Sequence, residues 1–311
     1  MQRLFTGLQP SGALHIGNYL GALKPTADLL AETDGLVMIA DYHALTSLKD
    51  AAHMRANILS VAKDYLAAGI DPRTSVMFKQ SDVPEHTELG WVFQCLVTTA
   101  FLELSHAYKD KVAKGLESNA GLFAYPMLMA ADILLYDTDI VPVGQDQRQH
   151  VEYAREAAAK FNSAFGETFK EPKEMILESV ATIPGTDGKK MSKSYGNTIP
   201  LFGSKDEIAK AVMGIVTDSS GDRPENVYAI HAAFRRKEDL DTLYESKKGK
   251  YKDLKEALIE DIEALVAPMR EKRDSISDED VKKVLVDGGE RARERASKKM
   301  VNVKQRIGVA L

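Results

Sequence analysis

The chain has 311 residues, a formal net charge of −5, 44% hydrophobic and 28% charged side chains, and a single cysteine. That length holds about two domains, and the mild negative charge excludes generalised electrostatic binding to nucleic acid, so any such contact has to come from a local patch. One cysteine excludes a disulfide framework and multi-cysteine zinc or iron–sulfur sites, and no apolar run is long enough to span a membrane, which points to a cytoplasmic protein.

In chain order, Leu4 to Asn18 reads as a short buried strand, a loop containing Gly7, Pro10 and Gly12, and the start of a helix expected to run through Leu23. Helix-opening amides lack intrahelical partners and the glycines allow close backbone approach, so this grammar predicts an anion site. His15 and Asn18, three apart, share a helix face and can both donate to phosphate oxygens, with Gln9 a third donor; an exposed helix-start histidine is the plainer alternative. Apolar runs at 35–40 and 74–78, separated by a helix over about 51–68, predict strands buried on both faces. Strand alternating with helix predicts an α/β fold with a doubly wound parallel sheet, its ligand site beyond the strands' carboxyl ends near Gln9, Asp41 and His43.

A helix from Glu85 to about His106, a polar stretch with Lys109, Lys111 and Lys114, and a second apolar helix over about 120–136 predict a helical insertion at about 82–136. Its apolar residues serve either a domain core or a homodimer interface. Cys95, inside the apolar run Trp91–Val97, is expected to be a buried structural thiol. Asp139–Gly144 is the next strand, with Gln145, Asp146 and Gln147 opening the helix after it; Asp146 either accepts ribose hydroxyls or is an ordinary helix-start acid. A less regular segment leads to Gly185–Asn197, where Lys189, Lys190, Lys193 and flanking glycines suggest a mobile loop closing over polyphosphate, as against a solvated charge run. Beyond about Leu201 only helical patterns remain, and the final cations, Arg291, Arg293, Arg295, Lys298, Lys299, Lys304 and Arg306, form a phosphate-contacting tail or a solvated helix face.

The stretch Pro10–Asn18, paired with Lys190–Ser194 and with Gly144–Gln147 between them, resembles the two signature motifs of class I aminoacyl-tRNA synthetases. Thr6–Gly12, Asp41–Thr46, Met129–Tyr136 and Asp139–Gly144 bring the resemblance closest to the bacterial-type tryptophanyl branch, over essentially the whole chain. It implies a Rossmann-like catalytic domain over 1–200 carrying the helical insertion, and a helical anticodon-binding domain over 201–311. It further implies that Gln9, Pro10, Ser11, Gly17 and Asn18 contact ATP, with His15 at the phosphate end. Gly144, Gln145 and Asp146 would hold the ribose and Ile183 would touch adenine. Lys190, Met191, Ser192, Lys193 and Ser194 would grip the phosphates, with Lys111 as a further phosphate contact. His15, Asn18, Lys111, Lys190 and Lys193 are then the implied catalytic set. Magnesium accompanies ATP, no metal is assigned to protein ligands, and the implied partners are tryptophan, tRNA(Trp) and a second copy of the chain. Asn18 stands where the superfamily's commonest form has histidine, as is usual in this branch.

Tyr125, Met129, Asp132 and Tyr136 recur at helical spacing and can project from one face. Asp132 is an acid in an apolar run, and a buried carboxylate needs a donor; an indole offers one N–H and no acceptor. From the helix alone a structural salt bridge or cap fits as well, and the resemblance favours the indole. Phe5, Met129, Val141 and Val143 would pack the ring, and Tyr125 and Gln147 would hold the amino group. His43 is either a hydrogen-bonded loop histidine or a residue beside the substrate. The implied activity is ATP-dependent activation of tryptophan and transfer to tRNA; a tyrosyl enzyme, a non-catalytic paralogue and a small-molecule adenylating ligase are the alternatives.

Overall fold

Five short strands, β1 (Arg3–Leu8), β2 (Asp34–Ile39), β3 (Val76–Lys79), β4 (Ile140–Val143) and β5 (Lys173–Ile176), form one parallel sheet in the order β3-β2-β1-β4-β5. The structure is a computed structural model that describes residues 1–115, 117–144, 148–176, 183–217 and 223–310. The strand order reverses between β1 and β4, so their carboxyl ends diverge and open a crevice there.

The helices are α1 (Ile16–Asn18), α2 (Lys24–Ala31), α3 (Asp41–Ala44), α4 (Ala51–Ala67), α5 (Glu85–Gln94), α6 (Thr99–Leu102), α7 (His106–Ala113), α8 (Ala120–Leu134) and α9 (Arg148–Phe165). They continue with α10 (Lys205–Met213), α11 (Glu225–His231), α12 (Lys237–Ser246), α13 (Tyr251–Ser275) and α14 (Asp278–Arg306). A π turn, Tyr19–Leu23, joins α1 to α2, so the first helix runs on to Ala31 rather than ending at Leu23.

Alternation along the strands divides the core. Leu4, Val37, Ile39 and Met77 pack with helices α1, α4, α10 and α13, while Phe5, Leu36, Met38, Val76 and Phe78 pack with α5, α8 and α9. Burial on both faces is why these strands read as continuous apolar runs. β5 escaped the sequence reading: its four residues, Lys-Glu-Met-Ile, form an edge strand with no buried position.

The expected single helix over 85–106 is instead three pieces. Thr98 breaks the run by capping α6, its side chain accepting from the Phe101 amide. Cys95 lies at the C-cap of α5 and is exposed, as is Trp91 at 67%, so the expectation of a buried thiol is corrected. The inner face of α5 buries Leu89 and Phe93, while Trp91 and Cys95 lie on its outer side.

Helix α14 binds the chain's end to its beginning. Val281 and Leu285 enter one core layer and Ala292, Ala296, Met300 and Val303 enter the other, so the helix crosses the open edge of β3. Its cations pair within the chain: Arg295 with Asp34 at 2.9 Å, Lys299 with Asp137 at 2.5 Å, Lys304 with Glu88 at 2.8 Å and Arg293 with Glu85 at 3.4 Å. Ser297 also donates to Glu85, at 2.6 Å. Neither sequence reading of the basic tail describes this docking contact.

Candidate functional site

A cavity of about 370 Å³ opens at the carboxyl ends of β1 and β4, at the switch in strand order. That volume falls at the lower end of small-molecule sites, about 300–1,000 Å³. Phe5, His43, Tyr125, Met129, Asp132, Val141 and Val143, dispersed over 139 positions of sequence, all line it, together with Gln9 and Gly144. Gln147, Gln145 and Asp146 lie outside the described residues. Tyr136 is past the end of α8 and does not line the cavity; its ring stacks on Phe5 at 5.9 Å instead.

Asp132, 1% exposed on α8, is the one acid in the cavity's lining among the described residues. Its Oδ2 accepts from His43 Nε2 at 2.7 Å, its Oδ1 accepts from Gln80 Nε2 at 2.8 Å, and His86 Nδ1 lies 2.6 Å from Oδ1. Burial works to raise its pKa, but the imidazoles of His86 and His43 outweigh burial and hold it at about 2. The carboxylate is therefore ionised and accepts only. Asp41, expected near the ligand, instead caps the turn after β3, accepting from the Ser81 amide at 3.0 Å and the Ser81 hydroxyl at 2.5 Å.

Beside the cavity, the two signature stretches are joined to each other. Gly12, at φ +90°, turns the first loop, and His15 caps α1: its Nδ1 accepts from the Asn18 amide at 3.2 Å while Asn18 Oδ1 accepts from the His15 amide at 3.1 Å. This reciprocal box consumes one face of each side chain, leaving His15 Nε2–H and the Asn18 Nδ2 amide as the remaining donors. Burial, with the Lys193 charge as a second cause, lowers the His15 pKa to about 4, so the donor is a neutral imidazole.

Lys193 Nζ donates to the Ser11 and Gly12 carbonyls at 3.1 and 3.2 Å, and Ile16 donates its amide to Ile199 at 3.0 Å. Met191 and Ile183 are buried, 4% and 5% exposed, and their side chains anchor the loop to the core instead of facing the cavity. Lys190 and Ser194 are exposed, and Ser192 bonds Ser194 through their hydroxyls at 2.9 Å. The loop is internally bonded: Asn197, 2% exposed, donates to Asp187 at 2.7 Å and to the Lys190 carbonyl at 3.1 Å, and accepts from the Ser192 amide at 2.8 Å. Asn197 closed that loop without any signal in its own sequence neighbourhood. Lys111, on α7, does not line the cavity.

A low pKa for a buried histidine has a stability consequence. The unfolded chain takes up the His15 proton near the ordinary value of 6.5 and the folded chain only near 4, so stability present above pH 6.5 falls as the pH drops toward 4. A His15→Gln variant is expected to flatten the urea-midpoint profile in that window, by up to about 3 kcal/mol. An unchanged slope between pH 6.5 and 4 would show that His15 is not the group responsible.

The family model described as tRNA synthetases class I (W and Y) matches residues 1–281 of the chain. The chain belongs to the class I tRNA synthetases of this group. It is 45% identical to the tryptophan–tRNA ligase of Fusobacterium nucleatum over 99% of its own length and 98% of the relative's, and 44% identical to that of Rhodopirellula baltica over 99% of each. The crystal structure of tryptophanyl-tRNA synthetase from Campylobacter jejuni complexed with ADP and tryptophan matches with a TM-score of 0.93 at 43% identity, covering 99% of this chain and 100% of that one. The two signature stretches lie on the β1–α1 turn and on the 190–194 loop, and Lys193 bridges them. Gln80, His86 and Asn197 are the residues of this region that the sequence reading missed.

Proposed function

We propose that the protein is a tryptophan–tRNA ligase that activates tryptophan with ATP and transfers it to tRNA(Trp). The observation that carries the amino acid assignment is Asp132, an ionised acceptor at the end of an apolar cavity, matched to a ligand with a single N–H and no acceptor on its ring. Phe5, Met129, Val141 and Val143 supply the walls, Tyr125 and Gln147 hold the amino group, and His43 lies beside the ring.

In the first step the substrate carboxylate attacks the α-phosphorus of ATP and pyrophosphate leaves; in the second a ribose hydroxyl of the terminal adenosine attacks the adenylate carbonyl and AMP leaves. No covalent bond to the protein forms, so positioning and charge stabilisation supply the acceleration. Neutral His15 and Asn18 donate to the phosphates from the start of α1. Lys190, Lys193 and Lys111 neutralise the leaving pyrophosphate, with Lys193 exchanging the Ser11 and Gly12 carbonyls for phosphate oxygens. Gln9, Pro10, Ser11, Gly17, Gly144, Gln145, Asp146, Ile183, Met191, Ser192 and Ser194 complete the nucleotide site. Magnesium enters as the ATP complex, as part of the substrate.

Residues 1–200 form the catalytic part, and the helices after 201 bind the anticodon. Exposed Trp91 and Cys95 on α5 support a homodimer through that face. Among the described residues no helix is long and apolar enough to cross a membrane.

The test is ATP–pyrophosphate exchange with each of the twenty amino acids in turn. Exchange with tryptophan alone is the expected result; exchange with tyrosine reassigns the substrate, and none with any amino acid ends the proposal. Lys193→Ala is expected to lower kcat/KM for exchange by about 10²–10³ while the unfolding midpoint stays near that of the parent protein, because the lysine is surface-exposed and its contribution belongs to the transition state. A loss under about tenfold would remove it from the phosphate site.

A further inference from the structure

Asp132 does not stand alone in its wall. Gln80, in the turn that follows β3, is fully buried, accepts from the His43 amide at 3.3 Å through Oε1 and donates to Asp132 through Nε2. A backbone N–H only donates and a carboxylate only accepts, so the Gln80 amide has a single satisfying orientation. His86, also fully buried on α5, sets Nδ1 2.6 Å from Asp132 Oδ1 and Nε2 2.8 Å from the Tyr136 hydroxyl. Its ring stacks on Phe78 at 6.0 Å, and Tyr136 in turn stacks on Phe5, a wall of the cavity. None of Gln80, His86 and Tyr136 lines the cavity.

We infer that Gln80, His86 and Tyr136 are positioning residues that set substrate specificity by aiming the Asp132 carboxylate into the cavity. The inference rests on the reading of Asp132 as the indole acceptor. A carboxylate offers about four acceptor positions. Gln80 Nε2 donates to Oδ1 at 2.8 Å and is shared with Oδ2 at 3.1 Å, His43 Nε2 donates to Oδ2 at 2.7 Å, and His86 Nδ1 lies 2.6 Å from Oδ1. Three side chains set against about four acceptor positions leave the carboxylate capacity for one more donor, and Asp132 is part of the cavity's lining, so the remaining position belongs to the ligand. Fixing both oxygens from behind prevents the carboxylate from rotating to satisfy itself when a ligand brings no N–H. Such a ligand leaves a desolvated charge under-coordinated, and this penalty is the discrimination.

The experiment compares kcat/KM in ATP–pyrophosphate exchange for tryptophan and for benzothienylalanine, the same shape with sulfur in place of the N–H. Gln80→Leu and His86→Leu are expected to shrink the tryptophan-to-analogue ratio by at least about tenfold while activity on the analogue changes by less than about threefold. His86→Asn places an amide nitrogen where Nδ1 stood and is expected to restore most of the ratio. Tyr136→Phe deletes one buried oxygen and is expected to lower the ratio by about threefold; it decides the matter if a leucine variant does not fold. Ratios equal to the parent protein's, or equal losses on both substrates, overturn the inference. Asp132→Asn separates the two failures: if it collapses the ratio and the other variants do not, only the positioning role falls, and if it too leaves the ratio intact, the indole reading itself falls.

Discussion

Asp132→Ala is expected to lower kcat/KM for tryptophan activation by about four orders of magnitude, the loss seen when a site built around a buried hydrogen bond loses it. Two effects combine. The indole N–H loses its carboxylate acceptor, and His43 and Gln80, which donate to that carboxylate, are left with donors turned toward a void. The second effect also lowers stability, because removing one member of a buried charged cluster typically costs about 3–5 kcal/mol. Measured together, exchange kinetics and urea unfolding separate the two, since the kinetic loss has to persist at temperatures where the variant is fully folded. A fall in kcat/KM of less than about tenfold in folded protein would mean that the indole nitrogen is not read by Asp132. The parent protein should also lose stability as the pH falls from 3.8 toward 2, where its carboxyl, held low in the fold, finally takes up a proton. Asp132→Ala lacks that contribution.

The parts of the fold that were legible in sequence are those dictated locally. β2 and β3 lie between packed helices, so every residue of Leu36–Ile39 and Val76–Phe78 had to be apolar, and the pattern announced a two-sided strand. The two signature loops were legible as a pair through the family resemblance, and the structure joins them where Lys193 donates to the Ser11 and Gly12 carbonyls. The cavity walls came from resemblance added to helical periodicity, and seven of the eight expected tryptophan-site residues do line one cavity, Gln147 lying outside the described residues. What remained hidden is non-local. Gln80 lies 52 positions from Asp132 in sequence, and Tyr136 50 from its partner His86, so nothing adjacent to either marks its role. The α5 region misled for a related reason: apolar Trp91 and a free cysteine look like core, and only the tertiary fold turns that side outward.

Gly288→Ala is expected to destabilise the protein by at least about 3 kcal/mol, against the usual expectation for a helix interior. Intrinsic propensity favours alanine over glycine there by about 1 kcal/mol. Sterics decide otherwise, because a Cβ at Gly288 would lie 1.7 Å from the Met77 carbonyl oxygen and 2.7 Å from its carbon. Both atoms are backbone of β3, so no side-chain rotation relieves the overlap, and either α14 lifts from the sheet edge or the strand shifts. Gly21, in the π turn before α2, is the internal control: a Cβ there meets nothing within 4 Å, so Gly21→Ala should be tolerated. Thermal and urea unfolding of the two variants give the comparison, and a Gly288→Ala protein as stable as its parent would show that α14 is not seated on β3 as described. The consequence reaches the site as well. β3 ends at Lys79 and Gln80 follows it directly, so a strand displaced by α14 carries with it the amide that holds Asp132. Gly288→Ala should therefore weaken the preference for tryptophan over its sulfur analogue even where the protein stays folded, from a helix whose own residues do not line the cavity.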